Sequence, residues 1–255
     1  MIHETAIIDS SATIHDDVEI GAYTIIGPDV EIAAGCVIGP HVVINGPTKI
    51  GANNKIYQFA SIGEDPQDLK YKGERTSLTI GSGNTFREYV TVHRGTVTGI
   101  SETIIGNNGL YMAYVHIAHD CVVGDNVVFS NCASLAGHAE VGDYAILAGF
   151  SMVHQFTRVG KHAFAGMASG MNRDLPPYVL GAGNPGRPVC INKEGLKRRG
   201  FDEELIKALH KAFKLLFKSA DREAANNELE SLSKHFPEVA HMVKFVKESD
   251  RGVVR

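Results

Sequence analysis

Residues 2–62 divide into six-residue units without a gap: IHETAI, IDSSAT, IHDDVE, IGAYTI, IGPDVE, IAAGCV, IGPHVV, INGPTK, IGANNK, IYQFAS, then Ile62. Isoleucine opens every unit, from Ile2, Ile8 and Ile14 through Ile50, Ile56 and Ile62. Position two is often glycine (Gly21, Gly27, Gly39, Gly51) and position five is mostly small or β-branched (Ala6, Val18, Thr24, Cys36, Val42). A period of six is neither a helix nor a heptad. It suits a short strand with its large aliphatic pointing inward, then a tight glycine-assisted turn. Each unit is one face of a solenoid coil. The frame breaks over Glu64–Thr79 and resumes at Ile80, Phe86 and Val92. It breaks again near Thr96–Thr103 and then runs from Ile105 through Tyr111, Ile117, Val123, Phe129 and Leu135 to Met171. The two breaks read as loops extruded from a regular scaffold, where function concentrates.

Composition agrees with a narrow solenoid. Among 255 residues there are 27 glycines, no tryptophan and 7% aromatics, which leaves branched aliphatics to fill the interior. The 25 Lys+Arg against 29 Asp+Glu, net −4, argue against a globally basic nucleic-acid binder. With 44% hydrophobic and 21% charged residues the chain is expected to bury a core. No apolar run reaches the roughly 18 residues of a membrane span, and MIHETAIIDS does not read as a signal peptide. The expectation is a cytoplasmic protein with no membrane span. Cys36, Cys121, Cys132 and Cys190 lack zinc-site spacing and read as small buried apolar residues.

From about Pro176 the repeat stops. Pro176-Pro177, Gly181, Gly183 and Gly186 suggest an irregular linker, after which Leu205, Ile206, Leu209, Ala212, Phe213, Leu216 and Phe217 keep a helical stripe. Phe236-Pro237 separates this from a last segment, Glu238–Glu248. The expected organisation is a solenoid over 1–175 and an α-helical domain over 176–255.

The hexads resemble those of hexapeptide-repeat acyltransferases, whose solenoid is a left-handed parallel β-helix of three hexads per coil. On such a coil His119, Gly137 and Gln155 stack in one column, about 4.8 Å per rung, with Asp120 and His138 beside them. Histidine thus carries the chemical information, since a histidine next to a carboxylate has the parts of a general base. The first loop offers Q67-D-L-K-Y-K-G-E74, and N192-K-E-G-L-K-R-R-G-F201 offers Arg198 and Arg199, suited to oxyanions.

The motifs Q58-F-A-S-I-G63, Q67-D-L-K-Y71, H93-R-G-T96, H116-I-A-H-D120, L135-A-G-H138, H154-Q-F156 and E194-G-L-K-R-R-G-F201 occur in one order. Together they resemble the UDP-N-acetylglucosamine 3-O-acyltransferase family, which opens lipid A synthesis. The resemblance implies that His119 is the general base, Asp120 its orienting partner and the Gly137 N–H the oxyanion donor. It implies that Asp68 meets the 3-hydroxyl of the acyl chain, with Gln67, Lys70, His116 and His138 nearby. His93, His154, Gln155, Asn192, Glu194, Arg198 and Arg199 would hold the acyl donor or the UDP-sugar. It further implies a homotrimer with sites between subunits, an acyl carrier protein as donor and no cofactor beyond the 4′-phosphopantetheine that the donor carries. Lys193, Lys197, Arg198, Arg199, Lys207, Lys211, Lys214 and Lys218 make a basic segment that would steer that acidic partner.

One departure is informative. Family members that accept longer chains have glycine where this chain has Met167. Met167 lies three coils beyond that of His119, roughly 14 Å along the axis, which corresponds to roughly a dozen carbons. The expected donor is therefore a 3-hydroxyacyl chain near ten carbons, unless Met167 fills an ordinary core gap. Three other readings stay open: a γ-type carbonic anhydrase with zinc on His93, His116 and His119, a sister enzyme that N-acylates a later glucosamine intermediate, and a non-catalytic solenoid. The sister family usually has an extra N-terminal domain, whereas here the hexads begin at residue 2.

Overall fold

The computed structural model describes all 255 residues. Strands of mostly two residues recur every six, and each pairs in parallel with the strand one coil away. Ile7 pairs with Ile25 and Ile25 with Val43, so three hexads make one coil. The strands form three faces of a prism. Face 1 has nine strands, from Ile7–Ile8 to Gly170–Met171; face 2 has eight, from Thr13–Ile14 to Arg158–Val159; face 3 begins at Glu19–Ile20.

The position-one side chains fill the prism. Ile20, Ile26, Ile32, Ile38, Ile44, Ile50, Ile56 and Ile62 are all at most 3% exposed, and Phe86, Tyr111, Phe129 and Leu135 continue the column. Ile2 remains 48% exposed because it sits at the prism's open end. Cys36 and Cys121 are free, buried fillers, whereas Cys132 and Cys190 are half-buried.

Each coil turns at position four, where the backbone takes a positive φ, as at Tyr23 (58°), Asp29 (56°), Asn53 (59°), Asp120 (59°) and His138 (61°). Such values are uncommon outside glycine. They persist because the turn amide is bonded to the adjacent coil, as His41 N–H is to Ala22 O (2.9 Å). Stacked rings add to this along one edge, from Tyr23 through His41, Phe59 and Tyr89 to Tyr114.

Both breaks in the hexad frame are insertions at the same corner, between faces 1 and 2. Val43 pairs with Ser61 at the ordinary spacing, but Ser61 pairs with Thr91, so the first loop is inserted within that coil. Thr91 pairs with His116, again farther along the chain than one coil, which places the second and shorter insertion. The first opens with a bulge at Gly63, where Glu64 pairs with His93 after Ile62 pairs with Val92; beyond the second the register is regular, since His116 returns to the ordinary spacing with Ser134.

Residues 176–192 differ from the expected linker. Val179–Ala182 adds a parallel strand beside Phe164–Ala165 on face 3, and Arg187–Ile191 folds back antiparallel to it. Gly181 permits this, since a Cβ there would lie 2.7 Å from Leu175 Cδ1. Four helices follow: α1 (Lys193–Arg198), α2 (Glu203–Lys218), α3 (Arg222–His235) and α4 (Pro237–Lys247). Asn192, Asp202 and Asp221 cap the first three, and Pro237 opens the fourth. Leu196, Ile206, Leu209, Phe213, Leu229 and Met242 join the solenoid core, and Val254 N–H bonds Asp174 O (3.0 Å), tying the end of the chain back to the prism. No helix is long and apolar enough to cross a membrane.

Leu135 is fully buried. Leu135→Ala is expected to cost about 2–5 kcal/mol, read as a lower denaturant midpoint with an unchanged transition slope.

Candidate active site

The corner that carries both loops also carries His119. His119 occupies position three of its turn and Asp120 position four; one coil on, Gly137 and His138 repeat the placement, with His138 N–H bonded to His119 O at 3.0 Å. His119 Nδ1 lies 2.8 Å from Asp120 Oδ2. The Asp120 side chain has no exposed surface, and a buried carboxylate must be matched by donors. The second loop supplies them. Thr96 donates its backbone N–H (3.0 and 3.1 Å to the two oxygens) and its hydroxyl (2.6 Å), and Ile100 donates its N–H (3.0 Å). Burial alone would raise the Asp120 pKa; the Thr96 hydrogen bonds, that of His119 and the nearby His138 outweigh it, so the carboxyl is held below its ordinary range. An ionised Asp120 makes His119 Nδ1 the donor and leaves Nε2 as the free base of the imidazole.

The wall around this pair is a set of imidazoles kept neutral. Burial, then the neighbouring His116, pushes His93 down to about 4. Burial, then His119, lowers His116. Burial also lowers His138, against the opposing charges of Asp120 and Asp68. His138 meets the edge of His119 (centroids 5.1 Å apart) and stacks on Phe156 (4.3 Å). Gly137 lies directly against the His119 ring, since a Cβ on it would sit 2.5 Å from Cε1 and 2.7 Å from Nε2. Its N–H makes no intramolecular hydrogen bond. A free base nitrogen and a free backbone donor thus share one small space.

From here a groove of ≈ 470 Å³ runs up face 1, lined by His116, Ser134, Ala136, Met152, His154 and Gly170, and ends at Asn184. It spans four rungs, roughly 14 Å. His154 and Gln155 are exposed at its side, with His154 Nδ1 3.4 Å from Arg251. In the first loop Gln67 and Lys70 are exposed, and Asp68 is half-buried and accepts from the Lys70 N–H (3.0 Å).

Other expected residues lie elsewhere on the prism. Asn192 is buried; its side chain caps α1 by accepting from Gly195 N–H (3.2 Å) and donates to His162 O (3.0 Å). Arg199 packs over the Tyr144 ring (4.4 Å) at the corner between faces 2 and 3, with Glu194 and Arg198 exposed on α1 beside it. Met167 is 76% exposed at the corner between faces 3 and 1, so it fills no core gap. Within one chain these groups do not meet His119.

Comparison with known proteins identifies the lineage. Residues 174–254 match the profile described as UDP N-acetylglucosamine O-acyltransferase, domain 2, and residues 11–46 that of bacterial transferase hexapeptide repeats. The chain is 50% identical over 256 residues to the acyl-[acyl-carrier-protein]–UDP-N-acetylglucosamine O-acyltransferase of Stutzerimonas stutzeri, covering 100% of this chain and 99% of that one. The crystal structure of the UDP-N-acetylglucosamine O-acyltransferase of Moraxella catarrhalis superposes with a TM-score of 0.96 at 48% identity, again over 100% and 99% of the two chains. That of Francisella novicida gives 0.96 at 40%, over 100% and 94%. The chain belongs to the acyl-[acyl-carrier-protein]–UDP-N-acetylglucosamine O-acyltransferase family.

Membership settles the hand of the coil: the prism is a left-handed parallel β-helix, against the general right-handed preference of parallel crossovers. It also removes the carbonic anhydrase reading. Within the chain the metal-ligating atoms that converge are those of His119, Asp120 and His138, within 4.8 Å of one another.

The residues that sequence reasoning missed are Thr96, Thr103, which accepts at 2.9 Å from Asp120 N–H, and Met152 in the groove. Thr96 stood inside a quoted motif, but nothing in its spacing pointed it at Asp120. Because the Asp120 pKa is lowered on folding, the stability it contributes is present above the unfolded pKa and is lost as pH falls through the folded one. Thr96→Val removes one charged hydrogen bond, so Asp120 protonates at higher pH. The loss of stability on acidification is therefore expected to begin about one unit higher in pH, which denaturation midpoints measured across a pH series check.

Proposed function

We propose that this chain transfers an (R)-3-hydroxyacyl group from acyl carrier protein to the 3-hydroxyl of UDP-N-acetylglucosamine, the opening step of lipid A synthesis, in the cytoplasm. The observation that carries the reading is the His119 Nε2 set against the free Gly137 N–H at the foot of an apolar groove, in a family whose named members are acyltransferases of this kind.

In this mechanism Asp120 holds the His119 imidazole, and Nε2 takes the proton from the sugar 3-hydroxyl as its oxygen attacks the thioester carbonyl. The Gly137 N–H donates to the oxyanion of the tetrahedral intermediate. Collapse breaks the carbon–sulfur bond, and the His119 imidazolium returns its proton to the leaving thiolate. The steps so written use no redox cofactor, and the 4′-phosphopantetheine arm arrives with the donor. Asp68 accepts from the 3-hydroxyl of the acyl chain, with Gln67, Lys70, His116 and His138 around it. His93, His154, Gln155, Asn192, Glu194, Arg198 and Arg199 hold donor or nucleotide.

Support for a homotrimer with sites between subunits comes from geometry. The implicated residues occupy three different corners of one prism, and a site between neighbouring prisms unites them. Lys193, Lys197 and Lys207 outnumber Glu203 in the lining of a pocket of ≈ 270 Å³ beside α1 and α2, a net basic surface suited to an acidic carrier protein. The donor length rests on Met167, exposed near the upper end of the face 1 groove, where a neighbour would press it toward the chain and shorten the slot to near ten carbons.

Mass spectrometry of the product from UDP-N-acetylglucosamine and a ladder of (R)-3-hydroxyacyl carrier proteins tests the reading. His119→Ala is expected to lose about 10²–10⁴-fold in kcat while keeping its assembly state; full activity would sink the mechanism. Met167→Gly is expected to move the preferred donor from about ten carbons to longer chains, each added methylene having cost on the order of 1–3 kcal/mol in the parent. A parent that already prefers fourteen carbons would overturn the assignment of Met167 but not the activity.

A further inference from the structure

Arg94 is only 7% exposed, at the end of strand Thr91–His93 where the second loop begins. A guanidinium stays charged wherever it is placed, so its burial calls for acceptors. One terminal nitrogen donates to the Gly63 carbonyl. The other donates to the Asp65 carboxylate and, at 3.3 Å, to the Tyr71 hydroxyl. The Arg94 backbone N–H donates to Glu64 O at 3.1 Å. All four acceptors belong to the first loop or to the strand that launches it. Tyr71 extends the grip, its hydroxyl donating to Glu74 O at 2.9 Å. Residues 65–76 contain no strand or helix. Their other ion pair with the prism is Arg75–Asp29 (2.7 Å), exposed and therefore weak.

We propose that Arg94 is the positioning residue of the donor-recognition loop: its buried guanidinium holds residues 65–76 against the His119–His138 corner and thereby sets Asp68. The same short segment serves both loops, because two residues on from Arg94 the Thr96 N–H and hydroxyl grip Asp120. A planar fork reaches a carbonyl, a carboxylate and a phenol in three directions, which a lysine ammonium on a flexible stem does not reproduce. The effect on catalysis rests on the reading of Asp68 given above; the effect on the loop does not.

The experiment compares full-length wild type with Arg94→Lys, Asp68→Ala and the double variant, using two readouts. The first is native-state trypsin cleavage after Lys70 and Lys72, followed by mass spectrometry, which reports loop order directly. The second is the kcat/KM preference for a 3-hydroxyacyl over an unsubstituted acyl carrier protein of equal length. Arg94→Lys is expected to speed loop cleavage about tenfold and to lower the preference about tenfold, with no further loss of preference in the double variant. Unchanged cleavage overturns the proposal. So does an equal loss on both donors, or a loss that adds to that of Asp68→Ala, since either is what general destabilisation does. If Asp68→Ala itself leaves the preference intact, the reading of Asp68 falls, and cleavage alone decides whether Arg94 is the loop's anchor. Tyr71→Phe, which removes one acceptor outside the prism, is the variant to use if Arg94→Lys fails to fold; about threefold changes of the same pattern are expected.

Discussion

Everything in this protein depends on the closure of each coil after three hexads. A two-residue strand has no independent stability, and here its backbone groups are satisfied only by the coils above and below. Ile25 N–H reaches Val42 O (2.9 Å), Val43 N–H reaches Ala60 O (3.0 Å), and Ser61 N–H reaches Val90 O (2.9 Å) across the first insertion. Because buried backbone polar groups must be paired, extra residues leave the coil at a corner or not at all. That is why the two insertions interrupt the hexad frame without shifting the register of Thr91 on His116 or of His116 on Ser134.

The same closure makes the corners chemically useful. Successive residues at one corner stand one rung apart, so His119, Gly137 and Gln155 share a column, and Asp120, His138 and Phe156 share the next. Position four is held in the left-handed region by bonds to the adjacent coil, and aspartate tolerates that region better than most residues. Asp120 uses this turn to aim its carboxylate at donors from two sources, the imidazole beside it and the loop below it. A carboxylate with no exposed surface would be costly without them; with Thr96, Ile100 and His119 it stays ionised and fixes the tautomer of the imidazole.

The loops and the column are interdependent. The second loop neutralises the cost of burying Asp120, and its first residues hold the first loop through Arg94. The helices contribute at another corner, where Arg199 lies over Tyr144 and Asn192 caps α1 while bonding His162 O. The residues proposed to act lie on three corners of the prism, and a neighbouring copy would unite them, which is the physical content of the trimer proposal.

By itself the sequence determined the solenoid, its two interruptions and its aliphatic core, because a strict period of six maps chain position directly onto place. With three hexads to a coil, the same arithmetic stacked His119 on Gly137. It also marked the helical end, through the stripe from Leu205 to Phe217. Tertiary structure decided what periodicity does not encode. The strand pair of residues 176–192 forms because face 3 offers an open edge at Phe164–Ala165, which no local signal reveals. Thr96 and Arg94 meet Asp120 and the first loop across chain separations that belong to the irregular segments. Met167 stands exposed, and Asn192 caps α1 while bonding His162 O, because those outcomes depend on which corner each residue reaches. Position within the repeat is a one-dimensional property, and hydrogen bonding between its interruptions is not.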